Sequence, residues 1–387
     1  MSVTAAKGFV ASGVAAGIRR SSRDHAVVRS LERSVGAAVW TTNRVQAAPV
    51  AVSRRHLETA EPQAVVINSG VANAATGQAG IADAELTASQ AARLLGLRAE
   101  EVVVLSTGVI GVPLPMEKLL AGLREAVGSL APEGGADAAA AILTTDRTPK
   151  QAAIRGDGFT VGGMAKGAGM IHPRLATMLA VLTTDYPLDP GEPVELLRRA
   201  VDASFNRISV DGECSTNDAV VLIANGASRI PRDPARDRQF GEALDEVCDG
   251  LSRQIVEDGE GSTVLLEIAV LGARSDEQAV AIARRVATSP LVKTAAFGRD
   301  PNWGRVLAAA GSAPWNGGFA QVDADRLVVA FNGTTVFELG SPTGRAPELD
   351  DAVVTIELDL GLGPGAAQYL ASDLTYDYVR INAEYRT

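Results

Sequence analysis

The sequence predicts an α/β protein with substantial antiparallel sheet. Three observations carry that reading. Short, β-branched apolar runs recur along the chain, segments with helical spacing lie between them, and an Asn332-Gly333 pair stands between two β-rich runs as a hairpin signal. At 387 residues the chain is long for a single hydrophobic core, so two lobes are expected.

Taken in order, 64–68 (AVVIN) reads as a buried strand entering the loop SGVANAATG, and 83–97 as a helix of strong helix formers. A second strand at 101–105 (EVVVL) leads into the turn-rich STGVIGVPLP. The stretches 116–130 and 136–143 read as helices separated by the Pro/Gly break APEGG. The glycine-rich stretch 159–171 is extended, and 176–183 is a buried strand. Helices follow at 193–205, 237–257 and 276–288, with strands at 219–224 and 263–271. The stretches 353–360 and 376–382 complete the predicted β inventory.

Composition removes several function classes. Acidic residues outnumber basic ones, 46 against 36, for a formal charge of -10, so the chain has no general attraction for nucleic acid or anionic membranes. No stretch is apolar for long enough to cross a membrane, and the N-terminus lacks the order of a signal peptide. Cys214 and Cys248 cannot make a disulfide framework, and a cytoplasmic protein is expected. His25, His56 and His172 have no second His or Cys at metal-ligand spacing. There is neither a G-x-S-x-G elbow nor a Walker-type loop. A nucleophilic enzyme built from these residues would need a base other than histidine.

The most informative stretch is 166–185, KGAGMIHPRLATMLAVLTTD. A threonine opening a buried strand is ordinarily a packing residue. The whole string, however, resembles the autoprocessing segment of the ornithine acetyltransferase family. The resemblance implies cleavage between Ala176 and Thr177 into an alpha chain, 1–176, and a beta chain, 177–387. Both chains would contribute to one intertwined main lobe, with a smaller C-terminal lobe besides. The implied fold is a self-cleaving α/β sandwich of the ornithine acetyltransferase and aminopeptidase type, with mixed and largely antiparallel sheets. The residue types suit this chemistry. The Thr177 hydroxyl can attack the Ala176 carbonyl by an N-to-O acyl shift, and hydrolysis of the ester frees the Thr177 α-amine. That amine, with a pKa of roughly 8, can act as general base for the hydroxyl of its own residue.

Other stretches match the same family. Ser106–Gly111 (STGVIG) is similar to its oxyanion-hole loop, with Thr107 and the Gly108 N–H facing the developing charge; a plain turn after a strand is the other reading. Thr144, in Thr144-Thr145-Asp146, would contact substrate or else cap or end the preceding helix. Lys166 corresponds to a substrate-contacting lysine, which would neutralise a carboxylate or else be a solvated surface side chain. Glu260, in IVEDGEGST, would meet the substrate's amino end or simply terminate a helix. The chain end LTYDYVRINAEYRT supplies Asn382 and Thr387 as further implied substrate contacts. The stretches 41–50, 204–220, 289–295 and 298–305 also match and are assigned to scaffold and pocket shape. Two positions depart from the family loop: Val71 stands for an Asn and Ala75 for a common Cys.

The reaction implied is a ping-pong transfer through an acetyl-Thr177 enzyme, from N2-acetyl-L-ornithine to L-glutamate, releasing ornithine and giving N-acetyl-L-glutamate for arginine biosynthesis. Some members also take acetyl-CoA as donor. The resemblance implies no metal or other cofactor, and an assembly of two alpha and two beta chains. Three alternatives stay open: an N-terminal-nucleophile amidase or aminopeptidase on the same scaffold, a secondary-metabolism paralogue, and an uncut binding protein.

Overall fold

The computed structural model describes residues 2–20, 22–172 and 178–384. These divide into two compact units, one of 2–206 with 213–255, the other of 207–212 with 256–384.

The first unit contains two sheets. A four-stranded sheet runs in the order Phe9–Val14, His25–Ser30, Ala64–Val71, Val102–Val109. A five-stranded sheet runs Val35–Trp40, Ala219–Ala224, Leu179–Thr184, Thr160–Lys166, Lys150–Arg155. Strand alternation explains why they stack. Val28, Val65, Ile67 and Leu105 of the first sheet join Met164, Val181 and Val221 of the second in one apolar layer. The intervening Val27, Val66 and Val104 point the other way, onto Ala88, Ala91, Leu123 and Ala126 of the helices Gly77–Leu95 and Met116–Gly128. Strands buried on both faces read as unbroken Val/Ile/Leu runs, and each such side chain contributes roughly 1.5–3 kcal/mol. On the five-stranded sheet, Gly163 admits a close helix. A Cβ there would lie 2.9 Å from Leu251 of the helix Pro234–Glu257.

The second unit is a seven-stranded sheet in the order Ser341–Pro342, Thr334–Glu338, Val328–Phe331, Val353–Asp359, Leu265–Ala273, Gly365–Ser372, Ile208–Ser209. Helices Asp276–Ala287 and Trp303–Gly311 supply Ile282, Val286, Val306 and Ala310 to its core. Ser275 caps the first of these by accepting the Gln278 N–H. The Asn332-Gly333 hairpin forms as expected, with Phe331 opposite Thr334 and both turn residues at positive φ.

The mixed α/β class with largely antiparallel sheet is therefore what the chain adopts. One predicted element is wrong in kind: 376–382 belongs to the helix Tyr376–Glu384, not to a strand. Thr375 caps it, accepting the Tyr378 N–H at 3.1 Å, and Asp377 lies in the first turn. These end signals outweigh the β-prone Tyr, Val and Ile content. Strands at Phe9–Val14, His25–Ser30, Val35–Trp40 and Gly365–Ser372 were not expected, nor were helices Ala48–Leu57, Pro290–Phe297 and Trp303–Gly311. Among the described residues no helix is long and apolar enough to cross a membrane. The expected break at Ala176–Thr177 lies outside the described residues.

Candidate active site

Sheet register in the first unit brings distant residues to one edge. Lys166 pairs with Leu179, and Leu179 pairs with Ala219. One residue beyond this row stand Gly167, Met178 and Asp218. The Met178 N–H donates to Asp218 Oδ1 at 2.9 Å, and the Thr41 N–H donates to the Asp218 carbonyl at 3.0 Å. Ala176 and Thr177, the expected scissile pair, and Thr387 lie outside the described residues.

Beside this row sits a buried cluster of charges. Lys150 Nζ is 2.6 Å from Asp146 Oδ1, and Lys166 Nζ is 3.8 Å from Asp146 Oδ2. The Gly167 N–H donates to Oδ1 at 2.6 Å and the Thr144 N–H to Oδ2 at 2.9 Å. Burial works against the Asp146 carboxylate, but the charges of Lys166 and Lys150 and these hydrogen bonds hold its pKa well below the ordinary range. Of the two readings of Lys166, the solvated one fails, since its side chain is only 3% exposed. The carboxylate it faces is the chain's own Asp146. Thr144 does not cap a helix: the preceding helix, Gly135–Ala141, ends before it with Ile142 as C-cap.

The loop expected to form an oxyanion hole is held from three sides. Ser106 Oγ donates to Asn68 Oδ1 at 2.6 Å, and Asn217 Nδ2 donates to the carbonyls of Ser106 at 2.8 Å and Ala72 at 2.6 Å. Gly108, at φ +133°, lies directly against the neighbouring strand; a Cβ there would stand 2.2 Å from the Gly70 carbonyl carbon. No side chain fits, and the backbone needs glycine's freedom. Arg19 packs over Gly70 and donates to the carbonyls of Leu143 at 2.6 Å and Thr144 at 3.2 Å. Asn217 fixes the Thr107–Gly108 loop while its neighbour Asp218 fixes Met178. The structure thus gathers Thr107, Gly108, Thr144 and Lys166 into one connected region of the first unit.

The two departures from the family loop are structurally quiet. Val71 packs with Leu114 and Leu119, so an apolar contact stands where an amide would otherwise be. Ala75 takes φ 55° in the turn that Asn73 organises through Gly80 and Thr76.

In the second unit, Asn382 Nδ2 donates to Glu260 Oε2 at 2.8 Å. Thr375 Oγ1 donates to the Gly261 carbonyl at 2.8 Å, tying the acidic turn to the start of the Tyr376–Glu384 helix. Nearby in chain terms, Lys293 is buried and donates to the Ser372 carbonyl; burial lowers its pKa to about 8, with Asp373 and Asp211 opposing. Among the described residues no group of three or more His, Cys, Asp and Glu is placed to hold a metal ion.

Sequence reasoning passed over Asp146, Lys150, Asn217 and Asp218, whose contacts hold this region together. The spacing of Asp146 and Lys150 was visible, as were the adjacent amide and acid at 217–218. Their meaning depends on which strands pair, which no local signal states.

The ArgJ family profile matches residues 10–387, and the chain belongs to the ArgJ family. It is 49% identical to the arginine biosynthesis bifunctional protein ArgJ of Thermobifida fusca, over all of both chains. It is also 49% identical to the protein of that name from Mycolicibacterium paratuberculosis, over 99% of this chain and 96% of that one. A solved structure of ornithine acetyltransferase from Mycobacterium tuberculosis, in complex with ornithine, is 48% identical over 44% of this chain and 94% of that chain, with a TM-score of 0.44.

Proposed function

We propose that this chain moves the acetyl group of N2-acetyl-L-ornithine to L-glutamate, as a self-cleaved enzyme of arginine biosynthesis. Acetyl-CoA would serve as a second donor, in keeping with the word bifunctional in the names of its relatives. The observation that carries this reading is the 49% identity sustained over the whole chain.

In this scheme Thr177 is the nucleophile, freed by cleavage after Ala176 and served by its own α-amine. The Gly108 N–H and Thr107 hold the tetrahedral oxyanion, a single such donor being worth about 3 kcal/mol of barrier. Thr144 and Lys166 contact the substrate, Glu260 takes its amino group, and Asn382 and Thr387 complete the contacts. The immobilised glycine backbone at 108 supports the oxyanion role, because a donor that cannot relax needs no reorganisation during reaction. The buried Asp146 supports the Lys166 role by fixing the ammonium in place. The chemistry asks for no cofactor, and the working unit is two alpha with two beta chains in the cytoplasm.

The test is intact-mass analysis together with an acetyl-donor comparison. Active protein should contain a fragment beginning T-M-L-A, and glutamate should become acetylated from either acetylornithine or acetyl-CoA. Thr177→Ala should abolish both cleavage and transfer. Acetate release indifferent to glutamate would instead identify an amidase.

A further inference from the structure

Arg19 grips two successive peptide groups more than a hundred residues away in sequence. Its Nη1 donates to the Leu143 carbonyl at 2.6 Å and its Nη2 to the Thr144 carbonyl at 3.2 Å. The Leu143 carbonyl and the Thr144 N–H belong to one planar peptide group. Asp146 Oδ2 takes that N–H at 2.9 Å, so the plane is held from both sides. The next plane is held through the Thr144 carbonyl. With both flanking planes tied down, the direction of the Thr144 Cβ is fixed, while the residue itself stays half-buried.

The arm that does this is itself anchored. Asp24 is fully buried, and its Oδ2 accepts the Arg19 N–H at 2.7 Å while Oδ1 accepts the Ala16 N–H at 2.7 Å. The Asp24 backbone is tied to the Val14 carbonyl and the Ser69 N–H, each at 2.9 Å. The stem of Arg19 then crosses Gly70, where a Cβ would stand 2.8 Å from its Cγ.

We infer that Arg19 is a positioning residue for substrate binding, which with Asp146 clamps Thr144 in the orientation that meets the substrate. The inference rests on the substrate contact proposed for Thr144. An arginine that merely satisfied loop carbonyls beyond the helix Gly135–Ala141 would affect stability and leave substrate affinity alone. A clamp acts on affinity, and only through Thr144.

The experiment is a double-mutant cycle read by steady-state transfer from acetylornithine to glutamate, with urea unfolding alongside. Arg19→Met keeps the stem over Gly70 and loses both donors. Its KM for acetylornithine should rise roughly tenfold, the scale of one charged hydrogen bond, with kcat within about twofold of wild type. Arg19→Lys keeps the cation and one reachable carbonyl, and should recover part of the KM. In Thr144→Ala the clamp has nothing left to orient, so adding Arg19→Met should raise KM no further. KM increases that multiply in the double variant would overturn the proposal, as would a wild-type KM in folded Arg19→Met. If Arg19→Met does not fold, Arg19→Lys takes its place in the same cycle. Wild type that turns over acetylornithine while the cycle fails loses the clamp alone. Wild type without acetylornithine turnover loses the proposed function, and the clamp with it.

Discussion

Asp146 and Lys150 face each other at 2.6 Å with both side chains fully buried, four residues apart in sequence. The sequence separation is incidental, because Asp146 lies in the loop after the helix Gly135–Ala141 whereas Lys150 opens the strand Lys150–Arg155. The pair, with Lys166, joins loop to sheet.

Asp146→Asn should therefore cost about 3–5 kcal/mol, the usual penalty when a buried charge loses its partner. The folded Asp146 carboxyl titrates below its unfolded value. Its stabilisation is present above a pH of about 4 and disappears as the pH falls through its folded value. Urea unfolding of wild type and variant should converge in strong acid and diverge at pH 7. Equal midpoints at pH 7 would show the cluster to be energetically idle.

Gly108→Ala should fold poorly or rearrange its loop, because the added Cβ meets the Gly70 backbone. In folded material, transfer should drop roughly 10²–10³-fold, as expected for loss of an oxyanion donor. Steady-state rates with acetylornithine and glutamate measure it. A wild-type kcat in a variant of normal stability would dissociate Gly108 from catalysis.

His25 should make the fold sensitive to mild acid. It is buried, both ring nitrogens lack hydrogen-bond partners, and burial lowers its pKa to about 4. The unfolded chain takes up this proton first, at a pH of about 6.5, so stability declines from there down to about 4, by up to about 3 kcal/mol. His25→Leu should flatten that decline. Thermal melts at pH 7 and 5 give the comparison, and an unchanged slope in the variant would clear His25 of responsibility.

Glu260→Gln removes the charge that Asn382 meets at 2.8 Å without removing its acceptor oxygen. The KM for acetylornithine should rise roughly tenfold, the scale of one charged hydrogen bond, while fragment formation is unchanged. Lost kcat at constant KM would place Glu260 in the chemical step instead.

Much of the core was legible because its strands are buried on both sides. Val65, Val66 and Ile67, or Val220, Val221 and Leu222, form unbroken apolar runs that local periodicity detects. The strand Gly365–Ser372 was missed because alanine and glycine dominate it; its place is won by pairing with Leu265–Ala273. The C-terminal helix was misread because Tyr378, Val379 and Ile381 carry β propensity, while the decisive signal was the Thr375 cap. Lys166 was visible as a residue, but its burial beside Asp146 was not.

What the amino-acid order determined alone was the alternating α/β character, the acidic surface charge, the hairpin at Asn332-Gly333, and the long 166–185 string that identifies the family. These are local or compositional properties, written in neighbouring residues. Only tertiary structure decided that Met178 meets Asp218, that Asp146 joins Lys150 and Lys166, and that Gly108 lies against Gly70. Those relationships arise from strand order and register, set by burial summed across whole sheets, and no short stretch of sequence encodes such a sum.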